Sequence, residues 1–209
     1  MTRHRIASIL AVAATLCAIV PAGAQDAPKP LALGSAAPMK DTKMKSVDGH
    51  DVSIADVAGS KGTLVIFSCN HCPWVKAWET RMVELGNTYA KQGVGVIAIN
   101  SNDPAAYDED AYPAMQERAK DRGMTYPYVV DASSDVARAF GATRTPEVFL
   151  FDKKGKLVYH GVIDDNAHEP DKVKTRYLSD ALQAVVAGKD VPLKETKAMG
   201  CSIKYRAKV

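Results

Sequence analysis

The spacing of apolar residues changes several times along this chain, and each change marks an element. Ile6 to Val20 is apolar except for Ser8 and Thr15, and Pro21 ends the run. Gln25 to Ala37 is rich in Ala, Pro, Gly and Lys without periodicity, the composition of a linker. Met39 to Val57 reads as a short strand, a turn at Asp48-Gly49 and a second extended piece. Thr63-Leu64-Val65-Ile66-Phe67 is a continuous run with β-branched residues, which predicts a buried strand. After it, Val75, Trp78, Met82, Leu85 and Tyr89 recur at steps of three and four, one apolar helix face, until Gly93. Val94 to Ile99 is a second buried strand.

The remaining elements are shorter. Asn100 to Tyr112 is polar and acidic, and Ala114 to Arg122 predicts a helix ending at Gly123. Tyr126 to Val130 reads as a strand, and Ser134 to Phe140 as a short helix closed by Gly141. Val148 to Phe151 and Leu157 to Val162 flank an Asp152-Lys153-Lys154-Gly155 turn, the pattern of a hairpin. A last helix is expected from about Asp171 to Ala187, with Val173, Tyr177, Leu178, Ala181, Leu182 and Val185 toward the core. The tail from Gly188 has no clear period. Strands alternating with helices and followed by an antiparallel hairpin predict an α/β domain, a mixed central β-sheet flanked by helices on both faces.

The first apolar run changes the picture of where the chain works. Arg3 and Arg5 precede it, and Ala22-Gly23-Ala24 follows as a small-x-small site, so residues 1–24 have the three parts of a signal peptide cleaved after Ala24. About 15 apolar residues fall short of the roughly 20 that span a bilayer. The expectation is a periplasmic or secreted protein with no stable membrane insertion, a linker over 25–35, one domain over 36–190 and a tail over 191–209 that packs on it. Losing residues 1–24 lowers the formal net charge from +3 to +1 and points to no nucleic-acid partner. It also removes Cys17, leaving Cys69, Cys72 and Cys201. A small disulfide-held scaffold carries more cysteines, usually in even number. Two residues between Cys69 and Cys72 point instead to chemistry.

That pair falls at a strand-to-helix turn, in Ser68-Cys69-Asn70-His71-Cys72-Pro73. A disulfide across so short a ring is a poor staple and a good two-electron switch. The attacking sulfur must be a thiolate, and a free thiol with pKa near about 8.5 is mostly protonated at neutral pH. A helix N-terminus supplies partial positive charge and free N–H donors to the anion. The expected roles are Cys69 as exposed nucleophile at or before the cap and Cys72 as a more buried resolving thiol in the first turn. His71 is expected to hydrogen-bond the Cys69 thiolate and lower its pKa, which raises the reduction potential above that of thioredoxin. Pro73 lacks only an N–H that a first helical turn leaves unpaired.

These residues resemble the thioredoxin-like superfamily, in its redoxin or peroxiredoxin-like branch. The likeness rests on the strand-CxxCP-helix unit, on Thr145-Pro146 ahead of Phe149-Leu150-Phe151-Asp152, and on the late Gly200-Cys201-Ser202-Ile203-Lys204, and covers about residues 35–205. It implies a thioredoxin-like fold, Cys69 and Cys72 as redox cysteines, and Thr145-Pro146 as a substrate-facing cis-proline dipeptide. Two departures matter. Thioredoxin has a buried acid six residues before its first cysteine, where this chain has Thr63, so a proton acceptor must come from elsewhere, such as Asp103 to Asp110. Peroxiredoxins have a Thr three residues before the attacked cysteine. Cys69 occupies that position relative to Cys72, which breaks the peroxide-binding motif.

The function expected is thiol–disulfide exchange with protein thiol or disulfide substrates and a redox partner protein, without a cofactor or resident metal. Two other readings compete with it. Cys69, Cys72, His71 and Cys201 have the donors for copper or zinc, with His50, His160 and His168 as further candidates. A thiol peroxidase attacked at Cys72 is the other. Cys201 itself is a candidate third thiol that resolves Cys69, a structural cysteine, or a metal ligand.

Overall fold

In the computed structural model, which describes residues 29–207, a seven-stranded mixed sheet runs through the molecule. Its strands are β1 (Met44–Ser46), β2 (Asp51–Val52), β3 (Gly62–Phe67), β4 (Val94–Asn100), β5 (Tyr128–Val130), β7 (Glu147–Asp152) and β8 (Leu157–Gly161). They lie in the order β2-β1-β5-β4-β3-β7-β8. β3, β4 and β5 are parallel neighbours, and β7 and β8 add an antiparallel hairpin on one side. The remaining two strands, β6 (Arg144–Thr145) and β9 (Cys201–Ser202), pair with each other in a separate two-stranded ladder.

Alternation along β3 divides the interior in two. Leu64 and Ile66 face α1 (Pro73–Ala90), α2 (Tyr112–Asp121) and α4 (Tyr177–Val186), joining Val75, Trp78, Met82, Met115, Leu178 and Leu182 in one core. Val65 and Phe67 face α3 (Asp135–Phe140) on the other side. There Phe67, Phe140 and Phe149 meet edge-to-face with centroids 5.2 to 5.7 Å apart, each pair adding about 1 kcal/mol beyond its buried area. The expected α/β sheet with helices on both faces is therefore what the chain forms, with β3 as its centre.

Two local expectations are corrected. The last helix begins at Tyr177, not Asp171. Ahead of it, Asp165 N–H donates to the Thr175 carbonyl and Asp165 Oδ1 accepts from Lys174 N–H, which holds residues 174–175 off the helix and leaves Val173 only half-buried. Leu85 is half-buried, while Glu79 is buried on the helix side that Val75, Trp78 and Met82 line. Arg118 Nε and Arg122 Nε each stand 2.7 Å from its carboxylate, so the charge is paired. The tail is ordered: Cys201–Ser202 is a strand, and Ile203 enters the α3-side core.

Toward the N-terminus, Leu31 N–H donates to the Phe140 carbonyl and Gly34 N–H to the Leu157 carbonyl. The apolar leader of residues 1–24 lies outside the described residues. Among those described, no helix is long and apolar enough to cross a membrane.

Glu147 connects the sheet to the segment that carries Thr145. It is buried, accepts from Thr143 N–H and Arg144 N–H at 2.8 and 2.9 Å, and meets His160 Nε2 at 2.6 Å. Glu147→Ala leaves two part-buried backbone donors and a buried imidazole without their acceptor, so unfolding in urea should show a loss of about 3 kcal/mol.

Candidate redox site

β3 ends at Phe67 and α1 starts at Pro73, so the cysteine pair occupies the turn between the central strand and its helix. Pro73 is the first helical residue because its ring presets φ and it has no N–H to leave unpaired. That makes Cys72 the N-cap, at φ −65° and ψ 124°, where the sequence placed the cap at or just after Cys69 and Cys72 inside the first turn. Cys69 and Cys72 are both free thiols and both buried. The expected exposure of Cys69 is thus corrected: its residue is 1 % exposed, against 0 % for Cys72.

Thr145 faces the pair. Its hydroxyl oxygen is 3.2 Å from Cys69 Sγ, its carbonyl oxygen is 3.1 Å from Cys72 Sγ, and its bond to Pro146 is cis. Arg144 and Thr145 form β6, whose partner β9 sets Cys201 opposite Thr145. The tail thiol therefore comes to the side of Thr145 whose carbonyl meets Cys72 Sγ, near enough for Cys201 to favour negative charge on Cys72.

A buried carboxylate stands on the other side of Cys69. Asp110 ends a 3-10 turn, Asp108–Asp110, in the loop after β4. Its Oδ1 accepts from Asn70 N–H at 2.6 Å and Asn100 Nδ2 at 3.3 Å, and its Oδ2 accepts from Asn102 Nδ2 at 2.9 Å. His71 Nδ1 lies 2.6 Å from the same Oδ2, and the imidazole stacks on Tyr107 with centroids 3.8 Å apart. Asn70 is held further by Tyr128, whose hydroxyl donates to its Oδ1.

The two thiols are thereby made unequal. The hydrogen bond from Cys69 holds the Cys72 thiol well below the usual thiol range, helped by the Cys201 thiol and the Val75 N–H of the first helical turn. Cys69 moves the opposite way, raised by its hydrogen bond to Cys72, by burial and by the Asp110 carboxylate. The charge of the pair sits on Cys72, with Cys69 donating to it. The Thr145 carbonyl opposes this and accepts the Cys72 proton in the neutral dithiol. His71 does not lower Cys69 as expected, because its Nδ1 is committed to Asp110.

Cys69 Sγ, a His71 ring nitrogen and an Asp110 oxygen lie within 4.8 Å of one another, close enough to meet a metal ion. Both Asp110 oxygens are already used by protein donors, so the cluster closes on its own hydrogen bonds. The other histidines lie elsewhere. His50 is exposed beside Asp48, His160 is bonded to Glu147, and His168 packs on Trp74.

Sequence reasoning missed Asn70, Asn100, Asn102, Tyr107 and Glu147. Asn100 and Asn102 had one available signal, their place at the carboxyl end of a buried parallel strand, where open sheets build their sites.

With this geometry in hand, comparison with known proteins decides the family. The Redoxin family model matches residues 32–200. This chain belongs to the Redoxin family. It is 32% identical over 127 residues to the thiol–disulfide oxidoreductase ResA of Geobacillus thermodenitrificans, a stretch that is 61% of this chain and 67% of that one. The crystal structure of a hypothetical protein from Sinorhizobium meliloti superposes with a TM-score of 0.79 at 35% identity, covering 86% of this chain and 98% of that one. A thioredoxin-like protein solved in its oxidized form superposes with a TM-score of 0.56 at 20% identity over 76% of this chain and 97% of its own, a likeness of fold. The redoxin chain thus has the thioredoxin-like fold, and its enzymatic class is that of the thioredoxin-like oxidoreductases.

The charge assignment has a direct readout. Thiolate ultraviolet absorbance of the reduced protein should show a first midpoint well below the usual thiol range, for Cys72. In Cys69→Ala that midpoint should move upward, since the largest stabilising hydrogen bond is gone.

Proposed function

We propose that this redoxin is an exported thiol–disulfide oxidoreductase whose Cys69–Cys72 dithiol–disulfide couple exchanges with protein substrates and is reset by a redox partner protein. The observation that carries the reading is Thr145, which contacts both sulfurs, through its hydroxyl at Cys69 and its carbonyl at Cys72. A pair so held is positioned for exchange beside the backbone that a substrate strand would meet.

In the reducing direction the Cys72 thiolate attacks one sulfur of a substrate disulfide. The S–S bond breaks, and its electron pair leaves on the second substrate sulfur, which takes a proton. Cys69 then passes its proton toward the Asp110–His71 pair and attacks Cys72 Sγ. This forms the Cys69–Cys72 disulfide and expels the first substrate thiol. Two electrons pass to the substrate together with two protons, one released by Cys69 and one from solvent because Cys72 starts as the thiolate, and the reverse sequence delivers a disulfide. The order differs from the one expected from the sequence because burial and Asp110 hold the Cys69 proton on. Asp110 takes the place of the acid missing at Thr63.

Equilibration of the reduced protein against a glutathione series, with acid quench, alkylation and mass spectrometry, tests the couple. Cys69 and Cys72 should exchange as one two-electron unit. A pair that never cycles, or that closes only after metal is stripped, overturns the reading. Asp110→Asn should slow the second step by about 100-fold, the usual scale of a lost proton acceptor, and should alter its pH profile while the fold persists.

Export is proposed from the leader alone. Expressed with its own N-terminus in a bacterial host that has a periplasm, the protein should be recovered outside the cytoplasm with Gln25 as its first residue. Recovery of uncleaved cytoplasmic chain argues against it.

A further inference from the structure

The tail brings a third sulfur to this site by a specific backbone route. Gly200 has φ +147°, and a Cβ there would stand 2.1 Å from the Thr145 carbonyl oxygen, so only glycine allows the approach. Cys201 then takes the ladder position opposite Thr145. Beyond it, Ile203 N–H donates to the Thr143 carbonyl at 3.0 Å and Lys204 N–H to Asn102 Oδ1 at 2.7 Å, which fixes the segment on both sides of the site. Cys201 packs against the core cluster that contains Cys69 and Cys72, and it is half-buried where those two are buried.

We propose that Cys201 is a third exchange thiol, attacking Cys72 Sγ of the Cys69–Cys72 disulfide to give a Cys72–Cys201 disulfide and a free Cys69 thiol. The proposal rests on the exchange reading above and adds a residue to it. The Cys69–Cys72 bond breaks with its electron pair leaving on Cys69, which takes up the proton that Cys201 releases. One disulfide replaces another, so no outside oxidant or reductant is required. Cys72 is the shared sulfur because it bonds the backbone carbonyl of Thr145, the residue directly opposite Cys201 in the ladder, whereas Cys69 meets only the Thr145 hydroxyl.

The electrostatics favour the step in the state that needs it. In the reduced protein the Cys201 thiol is pushed up to about 11, by burial and then by Cys72. Once Cys72 is bound in a disulfide it carries no charge, so its part of that increase disappears and Cys201 ionises more readily. The disulfide then moves from a buried pair to one whose second sulfur is half-exposed, where a macromolecular partner has access. Cys201 therefore resolves Cys72 and not Cys69.

Trypsin cuts after Lys61, Lys76, Lys197 and Lys204, so Cys69 and Cys72 share peptide 62–76 while Cys201 lies on peptide 198–204. Reduced full-length protein and its Cys69→Ala variant are oxidised with glutathione disulfide, acid-quenched, alkylated and digested without reduction. In Cys69→Ala the two peptides should be joined as the major species, and Cys201→Ser in the same background should lose that species completely. Cys69→Ser repeats the measurement if the alanine variant does not fold. If wild type closes Cys69–Cys72 but the variants end with Cys72 and Cys201 free or glutathionylated, the relay is wrong and the exchange reading stands. If wild type closes no disulfide, the exchange reading falls and the relay falls with it.

Discussion

Thr145 is where the separate parts of this molecule converge. Its hydroxyl meets one sulfur, its carbonyl meets the other, and its backbone pairs with the tail strand that carries the third. None of these contacts is local in sequence: Cys69 and Thr145 are 76 residues apart. They exist because β3 and β7 lie side by side in the sheet, in register from Gly62–Asp152 to Phe67–Glu147. Continuing both strands past that last pair brings Cys69 and Thr145 together. Glu147 then fixes the turn before β7 by capping two of its backbone N–H groups. The site is thus a consequence of strand register, and the two packed cores that hold the sheet also hold the sulfurs in place.

Its second constraint is electrostatic. A buried dithiol must lose protons to react, yet burial disfavours every charged form. The chain meets this by dividing the task. Cys72 sits where helix N–H groups and neighbouring thiols stabilise negative charge. Cys69 sits beside a carboxylate that keeps its proton on until a neighbouring group can accept it. The carboxylate itself is tolerable in the interior because Asn70, Asn100, Asn102 and His71 surround it. Supplying that acid from the loop after β4, instead of from β3, leaves Thr63 free to be ordinary sheet.

Much of this was legible in the sequence, and the rest was not for reasons that can be named. The run Thr63–Phe67 reads as a buried strand because it is short, β-branched and continuously apolar, and the three-four spacing from Val75 to Tyr89 reads as the helix that follows it. The pair at their junction followed. The acidic stretch after β4 was marked as the source of the missing acid, but which of its residues turns inward depends on the 3-10 turn that follows Tyr107. The tail motif Gly200–Lys204 was visible but its place was not, because a two-residue strand has no period and Gly200 is needed only for a contact with Thr145. The helix cap falls at Cys72 and not at or just after Cys69, and the consequence was large. It exchanged the electrostatic roles of the two sulfurs.

That exchange of roles changes how the burial of both sulfurs should be understood. An exposed first cysteine needs no more than collision with its substrate, whereas sulfurs at 1 % and 0 % exposure react only when something moves aside. The sheet cannot supply that motion, since β3 is buried along its whole length and is bonded on both edges. The β6–β9 ladder has only two residues per strand, and a two-stranded ladder is at best marginally stable by itself. Local openings come from such low-stability segments. Of the pairings beside the sulfurs this ladder is the shortest, with Ile203 and Lys204 tying down its far end, and it carries a thiol of its own. Access to the buried pair and the position of Cys201 are then two aspects of a single structural feature, a short strand held against Thr145.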